Sequence, residues 1–258
     1  MKSQRREEIR KILESKPFVS LRELTLEFPD VSEMTIRRDI EFFERQGEVI
    51  RVHGGARSVK FISRTDVDSI SKRESENVPQ KQAIARLAVE FLEPGRSIFL
   101  DSGSTTRQMP PYIPDERFSF TTTDPKLALD LSRSPVSVVN IVGGRLEKDN
   151  QTVTGLQATR FLTGVNIDTA ILSPAGFSLE NGFTVGSYNE CELKRIVVEK
   201  ARSVIVLIDS AKFDKSLPYT FCDLSGVDAI VTDGPVPLAT RSAAQNLGVR
   251  IVEAGAAE

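Results

Sequence analysis

The strongest constraint in this sequence is a change of period near residue 80. Beyond it, short apolar runs rich in β-branched residues alternate with helical segments. The strand candidates are Ser97–Leu100, Phe118–Thr122, Val136–Val142, Thr169–Ser173, Val204–Ile208 and Ala229–Thr232. Helices are predicted at Lys81–Leu92, Pro125–Ser132, Gly155–Leu162, Cys191–Ala201 and Ala239–Asn246. Strands joined through helices run parallel, and the sheet they build is covered on both faces. Residues 1–57 follow another plan, short helices and then a hairpin, while 58–78 show no clear period and read as a linker. The expected fold class is α/β: an N-terminal winged helix-turn-helix over 1–57, a linker over 58–78, and a mostly parallel α/β domain over 79–258.

With 258 residues, 40% hydrophobic and 27% charged, the chain has enough apolar mass for buried cores. Apolar runs such as Val204–Ile208 are far too short to cross a bilayer, so no membrane partner is expected. The opening MKSQRREEIR lacks the apolar stretch of a secretion signal. Two cysteines, Cys191 and Cys222, make no disulfide framework, and a reducing, cytoplasmic setting is expected. A single histidine, His53, excludes multi-histidine metal sites and any Ser-His-Asp triad that does not use it. Neither a metal nor a cofactor is expected. Residues 1–57 hold 12 Lys and Arg against 11 Asp and Glu, and the remainder 22 against 25. Contact with nucleic acid must therefore come from pattern rather than from bulk charge.

The pattern is specific. Gln4–Glu14 presents Ile9, Ile12 and Leu13 on one helical face. Ser20, with Glu23 three residues on, makes a capping box for a second helix that must stop before Pro29. After the turn Asp30-Val31-Ser32, Ser32 caps a third helix, Glu33–Gln46, which Gly47 ends. Glu48–Val52, the turn His53-Gly54-Gly55 and Ala56–Phe61 then form a hairpin. On the third helix Ile36, Ile40 and Phe43 share the buried stripe, and Arg38 and Arg45 lie opposite with Met34 and Glu41. Two helices joined by a short turn fit a DNA-binding helix-turn-helix. Ser32 and Thr35 offer hydroxyls and helix N-terminal N–H groups to phosphate. Arg38 can reach a guanine edge with two parallel hydrogen bonds. Arg37 is a phosphate clamp or a partner of Glu33 or Glu41. Arg51, His53 and Arg57 flank the thin Gly54-Gly55 loop, with His53 either a structural residue or a base reader.

In the second half, Ser97–Leu100 runs into Asp101-Ser102-Gly103-Ser104-Thr105-Thr106. A strand, then small hydroxyl residues around glycine, then a helix start is what a phosphate cradle needs; a capped strand-to-helix turn looks the same. No GKS or GKT follows, so it is not a P-loop. Gly143-Gly144-Arg145, Glu192 and Lys194 near a helix start, and Lys212 after another strand can line the same crevice. Ligands of α/β sheets sit outside the carboxyl ends of the strands. Taken singly, Lys194 and Lys212 read equally well as salt-bridged or solvated charges.

The stretch from Arg5 to Ala56, with its core VSEMTIRRDI and the distal RVHGGA, resembles the winged helix of the DeoR-type family of transcription regulators. KQAIARLA, IFLDSGSTT, VGGR, DTAILSPAGFS, ECELK and DSAKFD are similar to that family's effector-sensing domain. The resemblance implies a sensor similar in fold to ribose-5-phosphate isomerase, a double-stranded DNA operator as partner, and a phosphorylated sugar as effector. It carries over Asp101, Ser102, Gly103, Ser104, Thr105, Thr106, Gly143, Gly144, Arg145, Glu192, Lys194 and Lys212 as effector-binding positions. A single winged helix buries too little for tight specific binding, so a homodimer or homotetramer is expected. The function implied is a repressor of a carbohydrate-metabolism operon. The alternative is a sugar-phosphate isomerase or deaminase with an appended DNA-binding domain, for which Asp168, Glu192 and Lys194 are the imaginable acid–base groups. Three departures stand out. Phe42 replaces a residue often polar in the family and is expected to alter operator contacts. Pro110-Pro111 cuts short the helix after Thr105-Thr106, and Thr122-Thr123-Asp124 places a carboxylate where an anion would be weakened.

Overall fold

The computed structural model describes residues 2–16, 18–46, 48–52, 54–58 and 70–255. The chain divides into two compact units, residues 1–67 and 68–258. Of the residues singled out above, His53 and Gly47 lie outside the described residues, as do 59–61 of the second wing strand.

In the first unit α1 (Lys2–Ser15), α2 (Leu21–Glu27) and α3 (Glu33–Arg45) pack on a small antiparallel sheet. Its strands are β1 (Phe18–Ser20), β2 (Val49–Val52) and β3 (Gly55–Ser58), in the order β1-β3-β2. The hairpin β2–β3 was legible in the sequence; β1 was not, because three residues carry too little period to read. Ser20 caps α2 as the box predicts, its hydroxyl accepting from the Glu23 N–H at 3.0 Å. Ile9, Leu13, Leu24, Ile36, Ile40 and Phe43 close the core against Val19, Val49 and Ala56. Gly55 is fixed by this packing. A Cβ there would lie 2.3 Å from the Val19 carbonyl oxygen of the paired strand.

The second unit is built on a seven-stranded sheet in which every pair is parallel. Its strands are β4 (Ser97–Leu100), β5 (Ser119–Thr122), β6 (Val138–Ile141), β9 (Ile167–Leu172), β12 (Ala201–Leu207), β14 (Ala229–Thr232) and β15 (Arg250–Glu253). The order is β15-β14-β12-β9-β4-β5-β6. Alternate residues feed two cores. Ile98, Leu100, Ile171, Ile205 and Leu207 face α5 (Val78–Ala88) and α6 (Pro125–Leu131). Phe99, Ala170, Leu172, Val206 and Ile230 face α7 (Leu156–Thr163), α8 (Tyr188–Lys200) and α9 (Leu238–Leu247). Both faces are thus apolar, as a fully covered parallel sheet requires.

Two smaller pieces were not predicted. One is the hairpin β7 (Arg145–Glu147) and β8 (Thr152–Thr154). The other is an antiparallel sheet of β10 (Gly176–Ser178), β11 (Gly182–Val185) and β13 (Tyr219–Cys222), anchored by Phe177 and Phe183 with ring centroids 4.5 Å apart. A short helix, α4 (Ile70–Ser75), precedes α5 inside the stretch read as a linker.

Cys191 and Cys222 are both buried and free. Burial pushes the Cys222 thiol up to about 11, and burial likewise raises Cys191. A thiol reagent at neutral pH is expected to label neither cysteine in the native chain and both after unfolding, since only the thiolate reacts. Rapid labelling of the folded protein would contradict this packing.

Candidate functional site

The exposed face of α3 borders a groove of about 520 Å³, lined by Met34, Arg37, Arg38, Glu41, Arg51, Gly54 and Gly55. Ser32 caps α3, and its hydroxyl lies 2.9 Å from that of Thr35. Arg37 pairs with Glu33 through two contacts of 2.8 and 3.0 Å, the local partner rather than a free clamp. Arg51 bridges Glu41 at 2.9 Å and Glu44 at 2.6 Å, so it ties the wing to α3. Arg38 and Arg45 are exposed, as the helical phase predicts. Gly54 accepts a backbone hydrogen bond from Leu21 and, with Gly55, forms one wall of the groove.

What sequence reasoning missed lies on the opposite face. Asp39 is buried on α3 and accepts from Arg5 Nε at 2.7 Å and Arg6 Nε at 2.8 Å. Arg6 also stacks 3.7 Å from the Phe42 ring centre, and Phe42 stands edge-on to Phe43. Phe42 therefore packs towards α1 and is not among the groove residues.

In the second unit the carboxyl ends of the strands carry a layer of buried polar side chains. Asp101 follows β4; its Oδ2 accepts from the Ser173 N–H at 2.8 Å and from Lys194 Nζ. Lys194 also donates to the Ser173 carbonyl at 3.1 Å and lies 3.3 Å from Glu190 Oε1. Burial opposes its charge, but Asp101 and Glu190 outweigh it and hold the Lys194 pKa above the usual lysine value. Glu190 Oε2 accepts from Asn150, whose Oδ1 accepts from Arg73 at 3.0 Å. Lys212 donates to the Pro174 carbonyl and lies 3.2 Å from Asp209. Burial lowers its pKa; Asp209 opposes this, and Arg73 and Lys194 reinforce it. Lys81 is lowered too, by burial first and then by Lys212. Its ammonium is held by the carbonyls of Arg73 and Glu76.

Asp101, Lys194 and Lys212 are thus brought together. Ser102, Gly103, Ser104, Thr105 and Thr106 are buried beside them, with the Thr106 hydroxyl donating to the carbonyls of Asp101 and Gly103. The Thr105 hydroxyl is fully buried with no hydrogen-bond partner among the described residues. The helix start after this loop is cut short, as Pro110-Pro111 predicts. Thr106–Gln108 and Pro110–Tyr112 are single 3₁₀ turns, because proline has no N–H to continue a helix. The helix dipole invoked for a cradle is accordingly missing there.

Other expected positions fall outside the cluster. Glu192 pairs with Arg195 at 2.8 Å on the outer side of α8, whereas the unpredicted Glu190 faces Lys194. Arg145 is exposed on β7. Gly143 is exposed, and Gly144 is small because a Cβ would meet the Thr154 carbonyl oxygen at 2.5 Å. Asp168 accepts from the Ser97 N–H at the amino end of β4, away from Lys194. The three acid–base candidates of the alternative reading therefore do not converge.

The Asp124 carboxylate is neutralised, not repulsive. Arg107, its side chain 2% exposed, grips it with Nε at 2.6 Å and Nη2 at 3.0 Å. Asp124 also caps α6 by accepting from the Lys126 and Leu127 N–H groups. The remaining Arg107 nitrogen, Nη1, donates to Glu74 at 2.9 Å, and Lys126 Nζ reaches the same Glu74 oxygen at 2.7 Å. The sequence signal was present: a cation and a carboxylate, both unusual, just beyond two adjacent parallel strands.

Two outcomes are expected. Asp101→Ala strands a buried ammonium and should cost about 3–5 kcal/mol in denaturant unfolding, whereas a solvated pair would cost about 1 kcal/mol or less. Burial raises Glu74, but Lys126 and Arg107 outweigh it and depress its pKa below 4.5. The stability this pairing contributes is present above about pH 4.5 and is lost as pH falls through the lower folded value. Glu74→Gln should flatten that part of the acid-unfolding curve; an unchanged curve would rule the pairing out.

Comparison with known proteins agrees with this arrangement. Residues 5–61 match the model of the DeoR-like helix-turn-helix domain, and residues 76–234 match that of the DeoR C terminal sensor domain. The chain is 31% identical over 223 residues to the HTH-type transcriptional regulator GlpR of Haloferax volcanii, covering 86% of each chain. It is 29% identical over 254 residues to a putative aga operon transcriptional repressor of Escherichia coli O157:H7, covering 98% of this chain and 94% of that one. Among solved structures, ribose 5 phosphate isomerase A from Neisseria gonorrhoeae aligns with TM-score 0.38 and 18% identity, over 53% of each chain. With a recognition helix before a groove, a buried polar layer behind it in sequence, and both family models matched, the chain belongs to the DeoR family of helix-turn-helix transcription regulators.

Proposed function

We propose that this regulator is a cytoplasmic repressor of a carbohydrate-metabolism operon, released or modulated by a phosphorylated sugar bound in the second unit. The observation that carries the effector's class is electrostatic. Arg73, Lys81, Lys194 and Lys212 crowd the carboxyl ends of the strands, and two of the lysines are held below their ordinary pKa. Burial is the first cause of that lowering and the neighbouring cations add to it; an incoming anion relieves their mutual repulsion, and the Thr105 hydroxyl, without a partner among the described residues, offers a polar contact nearby. The names of relatives support the operon class: the Escherichia coli relative is named for repression of aga, and a Bacillus subtilis relative, GlcR, is named a repressor. Among the described residues no helix is long and apolar enough to cross a membrane.

DNA contact is assigned to Ser32, Thr35, Arg37, Arg38, Arg45, Arg51, His53, Gly54 and Gly55. Arg38 is the base reader, because it is exposed at the groove while Arg37 and Arg51 are engaged by glutamates. A dimer on two half-sites, or a tetramer, supplies the affinity one winged helix lacks. Regulation needs the effector to favour the arrangement that binds DNA less well; a coupling of about 1–3 kcal/mol gives a 5- to 150-fold change. We read the chain as a regulator and not a catalyst, since its candidate acid–base groups are dispersed or held in ion pairs.

A mobility-shift titration on the DNA upstream of its own operon tests this reading. Arg38→Ala should weaken specific binding by about 1–3 kcal/mol and relax selectivity at one base pair. Arg45→Ala should weaken specific and nonspecific DNA alike. Retardation unaffected by Arg38→Ala would overturn the assignment.

A further inference from the structure

One charged cluster at the strand ends is left unused by this account. Arg107 and Lys126 direct their charges at a single oxygen, Glu74 Oε1, at 2.9 and 2.7 Å. Arg107 is held rigidly for this. Two of its nitrogens are spent on Asp124, so Nη1 is fixed in direction. Gln151 adds a contact of 3.3 Å to the same Nη1 from a backbone with φ of 50°, a left-handed conformation that a non-glycine residue adopts at a cost. Rigid donors converging on one point are what a bound anion requires. Here the point is filled by a side chain of α4, a six-residue helix also tied by Arg73 to Asn150, by the Arg73 carbonyl to Lys81 and by the Ile70 N–H to Asp149.

We propose that Arg107 and Lys126 form an anion subsite whose internal occupant is the Glu74 carboxylate, and that the phosphate group of the effector binds by replacing it. The inference rests on the reading that the second unit senses a phosphorylated sugar, and it adds where the phosphate sits and what it displaces. A phosphate dianion offers three acceptor oxygens and more charge than a carboxylate, so it can engage both cations at once. Arg107 follows directly in the chain on the Asp101–Thr106 loop, whose Thr105 hydroxyl has no hydrogen-bond partner among the described residues. Exchange frees Glu74, which stands seven residues after the boundary of the DNA-binding unit in the chain. The anion thereby removes the contacts by which Arg107 and Lys126 hold α4.

The test uses the full chain and inorganic phosphate as the probe, titrated calorimetrically at ionic strength matched with chloride so that screening is constant. Glu74→Gln keeps the shape of the side chain and removes its charge, and should bind phosphate about tenfold or more tightly than the wild type. Lys126→Gln, at a half-exposed side chain, should bind it at least about fivefold more weakly. Equal affinity in the wild type and both variants overturns the proposal, as does binding by none of them in the tens of millimolar. Should Glu74→Gln fail to fold, Glu74→Ala takes its place with the same expectation. A panel of sugar phosphates and free sugars, read by thermal shift, separates this proposal from the reading it rests on. A sugar phosphate that stabilises the wild type and Lys126→Gln equally leaves the effector reading standing and sinks the subsite. Tight inorganic phosphate in Glu74→Gln, with no sugar phosphate recognised by any form, does the reverse.

Discussion

The buried pair of Asp101 and Lys194 is the contact on which the second unit depends. Its atoms join three elements that the chain brings together from far apart: the end of β4, the end of β9 at Ser173, and α8. Removing two charges from water is costly, and the cost is offset only where further hydrogen bonds complete the geometry. Here the Ser173 N–H and carbonyl and the Glu190 carboxylate complete it. The hydrophobic cores on the two sheet faces fix how the strands stack; the ionic layer fixes how their carboxyl ends are arranged. That division leaves a polar, cationic end on an otherwise apolar sheet, which is where a small anionic molecule gains most from being bound.

The first unit follows the same logic on a smaller scale. Its buried charge, Asp39, is satisfied from α1 by Arg5 and Arg6, so the inner face of α3 is held by ions as well as by Ile36, Ile40 and Phe43. Glutamates on the outer face occupy Arg37 and Arg51. Near-neutral net charge over 1–57 is therefore not a weakness of a DNA-binding unit. The acidic residues are largely committed to positioning arginines.

Much of this was legible in the sequence, for identifiable reasons. Buried parallel strands announce themselves as apolar runs, and Ser20 and Ser32 announce helix starts through their own cap chemistry. The helical phase of α3 separated Ile36, Ile40 and Phe43 from Arg38 and Arg45. What was not legible is long-range pairing. Asp39 reads as one more surface acid until α1 is folded against it. Glu190 and Glu192 are two residues apart, and only the packing of α8 decides which one faces Lys194. Arg107 and Asp124 lie 17 residues apart and pass unnoticed as a pair, although each is odd for its position. Strands of three residues, such as β1 and β10, are too short for alternation to show.

The ionic strut beneath α3 also bears on how such a reader diversifies. Met34, Arg37 and Arg38 line the outer groove and contribute nothing to the grip of Arg5 and Arg6 on Asp39. With base reading assigned to Arg38 as proposed above, replacing them would change which bases are addressed while the helix stays seated. A lineage built on this scaffold can acquire a new target by a handful of outward substitutions, with its folding machinery untouched.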